Sequence, residues 1–161
     1  MPKTPVSALA KAMDLLAARP LSERELLTRL RRAGYSDAEA DAAIDECRQR
    51  RYLDDELLTH DAVEGLRQRN LGSRQIQLRL RRRGLEPERI HEELRLRPED
   101  EWEAALRARD TKARQLSHET DPRKKREKLF RFLVGRGFAP ELIFRVLGTE
   151  NDGEEPPFTD D

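Results

Sequence analysis

Arginine carries most of the chemistry legible in this chain. Between Arg67 and Leu85 the sequence RQRNLGSRQIQLRLRRRGL places seven arginines, Arg67, Arg69, Arg74, Arg79, Arg81, Arg82 and Arg83, with no acid among them. A guanidinium is a planar fork of donors that stays charged and grips carboxylates or phosphates at two points. Seven without local neutralisation repel one another and are available to an acidic protein surface or a phosphate backbone. A second run, DPRKKREKLFR, supplies Arg123, Lys124, Lys125, Arg126, Lys128 and Arg131 against Glu127. Such runs suit nucleic acid or acidic surfaces, although basic helix starts are also common as solvated faces.

The other reactive residue types fall into no working pattern. Asp54 and Asp55 form a carboxylate pair, but capping of a following helix accounts for both, and no third ligand stands near them. His60, His91 and His118 have neither the spacing of a metalloprotease helix nor that of a zinc finger, so no metal site is expected. Cys47 falls at an apolar helical position and reads as a buried thiol. No phosphate-binding glycine loop, dinucleotide fingerprint or nucleophile elbow occurs. Neither catalysis nor a cofactor is expected. Trp102, Phe130, Phe132 and Phe144 have the chemistry to stack on bases, but their apolar neighbours favour places in a helical core.

These side chains must be positioned by helices. The chain has 161 residues, 40% charged and 36% hydrophobic, and is rich in leucine, arginine, glutamate and alanine. With so few large apolar residues, thin helical modules that each bury one stripe fit better than one thick core. Acids and bases balance at 32 each, which weighs against a general nucleic-acid coat but leaves room for a local basic face. A single cysteine excludes an internal disulfide, and no segment has the length or apolarity of a membrane span or a signal peptide. A soluble, cytoplasmic, monomeric protein is expected.

Punctuation divides the chain into helices. Residues 1–6 read as a loose leader, and the first helix runs from about Ser7 to Ala18, with Leu9, Met13, Leu16 and Ala17 inward. Ser22 with Glu25, and Ser36 with Glu39, form capping boxes that start two more helices. Asp54 caps a helix that reaches about Arg69. Ser73 caps one that runs to Arg83, and Pro87 opens the next. Pro98 opens a long helix to about Ser117. Asp121 and Pro122 begin the helix that contains KLFRFLVGRG, and Pro140 leads into the last. Residues 149–161, TENDGEEPPFTDD, hold six acids and no base and read as a disordered tail.

Three glycines disclose a repeat. Gly34, Gly84 and Gly137 lie 50 and 53 residues apart. Eight positions before them are Leu26, Ile76 and Leu129; four before are Leu30, Leu80 and Leu133; one after are Tyr35, Leu85 and Phe138; ten after are Ile44, Leu94 and Leu147. The pattern predicts an all-α fold of three tandem three-helix repeats, at 7–52, 53–97 and 98–148, forming an elongated, curved molecule.

The tripartite pattern, the segment Tyr52-Leu53-Asp54-Asp55 and the spacing of Gly72, Ile76, Leu80 and Gly84 resemble the bacterial RecX regulatory proteins. So does the third unit, with Lys128, Leu129, Arg131, Phe132, Leu133, Arg136, Gly137 and Phe138. The resemblance spans roughly residues 7–148. It implies a negative regulator that binds the RecA recombinase and lies in the groove of its filament on single-stranded DNA. There it would inhibit ATPase, strand exchange and coprotease activity. The expected contact residues are Arg67, Arg69, Arg74, Arg79, Arg81, Arg82 and Arg83 in the middle repeat, and Arg123, Lys124, Lys125 and Arg126 in the third. A weak direct contact to DNA is compatible with the same residues. The alternative is a helical module that binds DNA or RNA directly and acts without RecA.

Overall fold

The computed structural model describes residues 6–148; the acidic stretch 149–161 and residues 1–5 lie outside it. Among the described residues the regular structure is helical: α1 (Ala8–Ala18), α2 (Glu23–Arg32), α3 (Asp37–Gln49), α4 (Asp55–Gln68), α5 (Ser73–Arg82), α6 (Pro87–Leu96), α7 (Pro98–Gln115), α8 (Pro122–Gly135) and α9 (Pro140–Gly148). They form two compact units. One takes the residues up to Ala62 together with Arg79–His91, and the other takes Val63–Leu78 with the chain from Glu92 onward.

In the first unit α1, α2 and α3 pack around Ala12, Leu26, Leu30, Ala40, Ile44 and Cys47. The Ser22 and Ser36 capping boxes are both formed. The first helix differs from expectation in its buried face. Ala8 and Ala12 are inward with Leu9, Leu15 and Leu16 packed beside them, whereas Met13 and Ala17 are exposed. Small side chains, Ala8 and Ala12 of α1 and Ala40 and Ala43 of α3, share this core.

In the second unit α7, α8 and α9 enclose Ala104, Ala105, Leu129, Leu133, Phe138, Ile143 and Val146. Among the described residues Phe138 is the only fully buried aromatic. Trp102, Phe130 and Phe132 lie against this core only in part, and Phe144 is exposed. Two of these rings carry cations. Arg145 stands 5.0 Å over the Trp102 ring, and Lys112 and Arg136 stand 5.4 and 5.6 Å from the Phe132 ring. Trp102, Phe130 and Phe132 thus pack on the edge of the core, as their apolar neighbours suggested, and Phe144 does not.

The repeated glycines end helices in one way. Gly34, Gly84 and Gly137 have φ of +96°, +83° and +91°. In each case the glycine N–H and the next N–H turn back onto the last helical turn. Gly34 and Tyr35 donate to Arg31 and Leu30, Gly84 and Leu85 to Arg81 and Leu80, and Gly137 and Phe138 to Val134 and Leu133. This is the Schellman motif. Its customary contact, between the residue after the glycine and one at the end of the helix, explains why apolar residues recur at both positions.

Candidate partner interface

Two corners of the molecule present a helix N-terminus to one of these glycine turns. In the first unit, the Ser22 hydroxyl at the start of α2 donates to the Arg83 carbonyl. The Glu23 N–H donates to the Asp55 carboxylate at 3.1 Å. Gly84 lies so close to Arg24 that a Cβ there would stand 2.3 Å from that side chain. In the second unit, the Gly72 N–H and the Arg74 N–H at the start of α5 donate to the carbonyls of Arg136 and Gly137, at 2.9 and 3.1 Å. The Ser73 N–H and hydroxyl both donate to the Glu101 carboxylate, at 2.8 and 2.6 Å.

Both corners place an acid from a neighbouring helix on a helix N-terminus, where backbone donors lack partners and the macrodipole favours negative charge. Ser73 was expected to cap α5 with its own hydroxyl. It instead occupies the first helical position, and Glu101 supplies the acceptor. Asp54 caps α4 through the N–H groups of Glu56 and Leu57, as the sequence suggested. Asp55 is turned to α2, and its half-burial there pushes its carboxyl above the usual range despite the Glu23 N–H.

The arginines of the basic stretch divide by environment. Arg67 is buried at 5% exposure and donates to the carbonyls of Leu94 and Arg97, at 3.1 and 3.4 Å. Burial holds its guanidinium below the usual range, although the nearby Glu101 and Asp100 oppose this. Arg67 therefore ties α4 to the end of α6, and the expectation of a solvent-facing contact at this position is corrected. Arg83 is also engaged. It bonds Glu25 at 3.1 Å and the Pro20 carbonyl at 3.2 Å, and in that way closes the first corner. Arg136 acts similarly at the second corner, donating to the carbonyls of Asn70 and Arg69.

The remaining members, Arg69, Arg74, Arg79, Arg81 and Arg82, are exposed and make no side-chain hydrogen bond or ion pair among the described residues. Arg123, Lys124 and Lys125 are likewise unpaired among the described residues, the first two exposed and Lys125 partly so. Arg126 donates to the Leu147 carbonyl at 3.1 Å and so supports the end of α9. Lys128 and Arg131 of the same run are paired with Glu119 and Glu127.

The structure also brings together arginines outside the basic stretch. A shallow recess of about 260 Å³ lies in the first unit. The exposed side of α2 contributes Arg24, Glu25, Thr28, Arg29 and Arg32, and the end of α5 contributes Arg82 and Arg83, with Arg19 at the rim. Glu25 is its only acid. Burial raises the Glu25 carboxyl, but bonds from Arg83 and the Ser22 N–H outweigh that and hold it below the usual range. Arg24, Arg29 and Arg32 are exposed and unpaired among the described residues. A window count along α2 conceals them, because Glu23 and Glu25 share its sequence. Glu23, however, is bound by Arg48 from α3 and Glu25 by Arg83.

No group of three or more histidine, cysteine, aspartate or glutamate side chains able to hold a metal ion occurs among the described residues. Cys47 is fully buried, and that burial raises its thiol. No described helix is long and apolar enough to cross a membrane. Among the described residues the arrangement offers exposed positive charge at helix surfaces.

Comparison with known proteins agrees with the helical architecture. Residues 8–47 match the model of the RecX first three-helix domain, and residues 99–147 match that of the third. A regulatory protein RecX of Pseudomonas entomophila is 32% identical, with 89% of this chain and 92% of that protein aligned. Another, of Thermus thermophilus, is 37% identical over 81% of this chain and 83% of its own length. The crystal structure of RecX from Lactobacillus salivarius shares the fold at a TM-score of 0.80, covering 88% of this chain and 93% of that one, with 18% identity. The matched helices α1–α3 and α7–α9, together with relatives aligned over nearly their whole length, show that the chain belongs to the RecX family of regulatory proteins.

Proposed function

We propose that this protein is a negative regulator of the RecA recombinase. It binds RecA, and the RecA filament on single-stranded DNA, and lowers ATPase, strand-exchange and coprotease activity. It works by binding and performs no catalysis. Membership of the RecX family supports the reading, and one observation carries it to residues: Arg79, Arg81 and Arg82 on the last turn of α5 are exposed, with no acid among the described residues paired to them.

Unpaired guanidiniums on a rigid helix lose little on meeting a carboxylate or phosphate, because no existing ion pair has to break. Residues 53–97 are in this reading the basic middle module of three. Arg69 and Arg74 extend its contact set, and Arg123, Lys124 and Lys125 form a weaker one in the third module. Arg67, Arg83 and Arg126 drop out of the contact set, since each already holds a backbone carbonyl of its own chain.

The test is RecA-driven strand exchange between circular single-stranded DNA and a homologous linear duplex. Adding the protein should abolish joint molecules. An undiminished yield at several-fold molar excess over RecA overturns the proposal.

A further inference from the structure

The recess on the first unit is chemically uniform in a way that identifies an occupant. We infer that it binds the phosphodiester backbone of a nucleic-acid strand directly. The inference deepens the proposed function by assigning part of the filament contact to DNA, but it is tested without RecA, so either can fail alone.

Charge is the first argument. Six guanidiniums face one carboxylate, and that carboxylate, Glu25, is already held by Arg83 and by the Ser22 N–H. Its charge is spent on the wall, which leaves Arg24, Arg29, Arg32 and Arg82 without a paired acid among the described residues. Bringing an anion there relieves repulsion among cations that the fold holds together.

Spacing is the second. Arg24, Thr28 and Arg32 follow one another at four-residue intervals along α2, so they form a row, and Arg29 lies beside it. From Arg24 to Arg32 the helix rises about 12 Å. Cations set along a track of that length suit a linear polyanion better than a single small ion.

What is missing from the lining is the third argument. None of the residues around the recess is apolar. Protein partners are anchored mainly by aromatic and aliphatic side chains in desolvated pockets, and base stacking needs aromatic platforms. A row of guanidiniums with neither suits backbone phosphates, which it grips without regard to sequence. The wall is also preorganised. The Ser22 capping box fixes the start of α2, and Arg83 is pinned to Pro20.

The experiment measures anisotropy of a dye-labelled oligothymidylate with the full chain, over salt from about 50 to 200 mM. Arg29 and Arg32 are exposed and unpaired, so an R29A/R32A variant should keep its helical circular dichroism. Two lost phosphate contacts should make the slope of log affinity against log salt shallower by about 1.4, near 0.7 for each. An R29K/R32K variant retains the charges and should retain the slope. The inference is overturned if the wild type does not bind, or if R29A/R32A binds with unchanged affinity and slope. It is equally overturned if poly-glutamate of equal charge displaces the labelled strand as well as unlabelled oligothymidylate does, because the recess would then be a site for acidic protein.

Discussion

Substituting alanine for Gly137 separates two roles that the repeated glycines play. Gly34 and Gly137 have nearly the same backbone, φ +96° and +91°, so alanine at either pays a similar left-handed cost of about 1–2 kcal/mol. Their surroundings differ. A Cβ on Gly34 meets nothing within 4 Å, whereas one on Gly137 would stand 2.5 Å from the Gln75 backbone nitrogen and 2.6 Å from its side chain. Backbone at the start of α5 cannot step aside without disturbing the bonds from Gly72 and Arg74 to Arg136 and Gly137. Overpacking of this kind adds about 1–3 kcal/mol.

Urea unfolding followed by circular dichroism should therefore give a loss of about 1–2 kcal/mol for Gly34→Ala and roughly 3–4 kcal/mol for Gly137→Ala, with the slope of each transition unchanged. At a urea slope near 2 kcal/mol per molar, the two midpoints should lie about 1 M apart. Equal losses would refute the claim that the glycine turn is packed against the helix start in the second unit. They would reduce the glycine repeat to a matter of backbone conformation alone.

Two further predictions separate fold from function. Arg67→Ala leaves the carbonyls of Leu94 and Arg97 without their charged donor and should cost about 3 kcal/mol in urea unfolding, while the folded variant keeps its inhibition of RecA. Loss of inhibition by a fully folded variant would return Arg67 to the contact set. Glu25 has a carboxyl held below its ordinary value of 4.5, so its contribution to stability is complete above that pH and is lost as pH falls through the lower folded-state value. Glu25→Gln should accordingly flatten the decline of stability below about pH 4.5 relative to the wild type, and an unchanged acid limb would contradict the pairing with Arg83.

Much of the fold was legible because its rules are local. A positive φ selects glycine at the Schellman position, and the residue after it packs back on the helix, so Tyr35, Leu85 and Phe138 repeat visibly. The capping boxes at Ser22 and Ser36 are equally local. What escaped depends on distant chain. Ser73 looks like an N-cap until Glu101, 28 residues on, supplies the acceptor. Arg67 looks like surface charge until the end of α6 lies over it. The inward face of α1 holds alanines that share a core with those of α3, so reading leucine and methionine as the buried stripe put Met13 on the wrong side.

A count of charge along the sequence misleads in both directions for the same reason. Arginines 67 to 83 look unpaired because their neighbours in sequence hold no acid, yet Arg83 finds Glu25 58 residues away. Those of α2 look neutralised because Glu23 and Glu25 are near in sequence, yet both acids are bound elsewhere. Ion pairs follow the fold, and a window along the chain cannot count them.

The most direct measurement is RecA's single-stranded-DNA-dependent ATPase, titrated with the wild type, an R79A/R81A/R82A variant and an R123A/K124A/K125A variant. The account predicts strong inhibition by the wild type, a large loss of potency for the α5 variant and a smaller one for the α8 variant, with all three equally helical. Absence of inhibition by the wild type at several-fold excess over RecA would contradict the assigned function. Equal or reversed losses in the two variants would contradict its placement on α5.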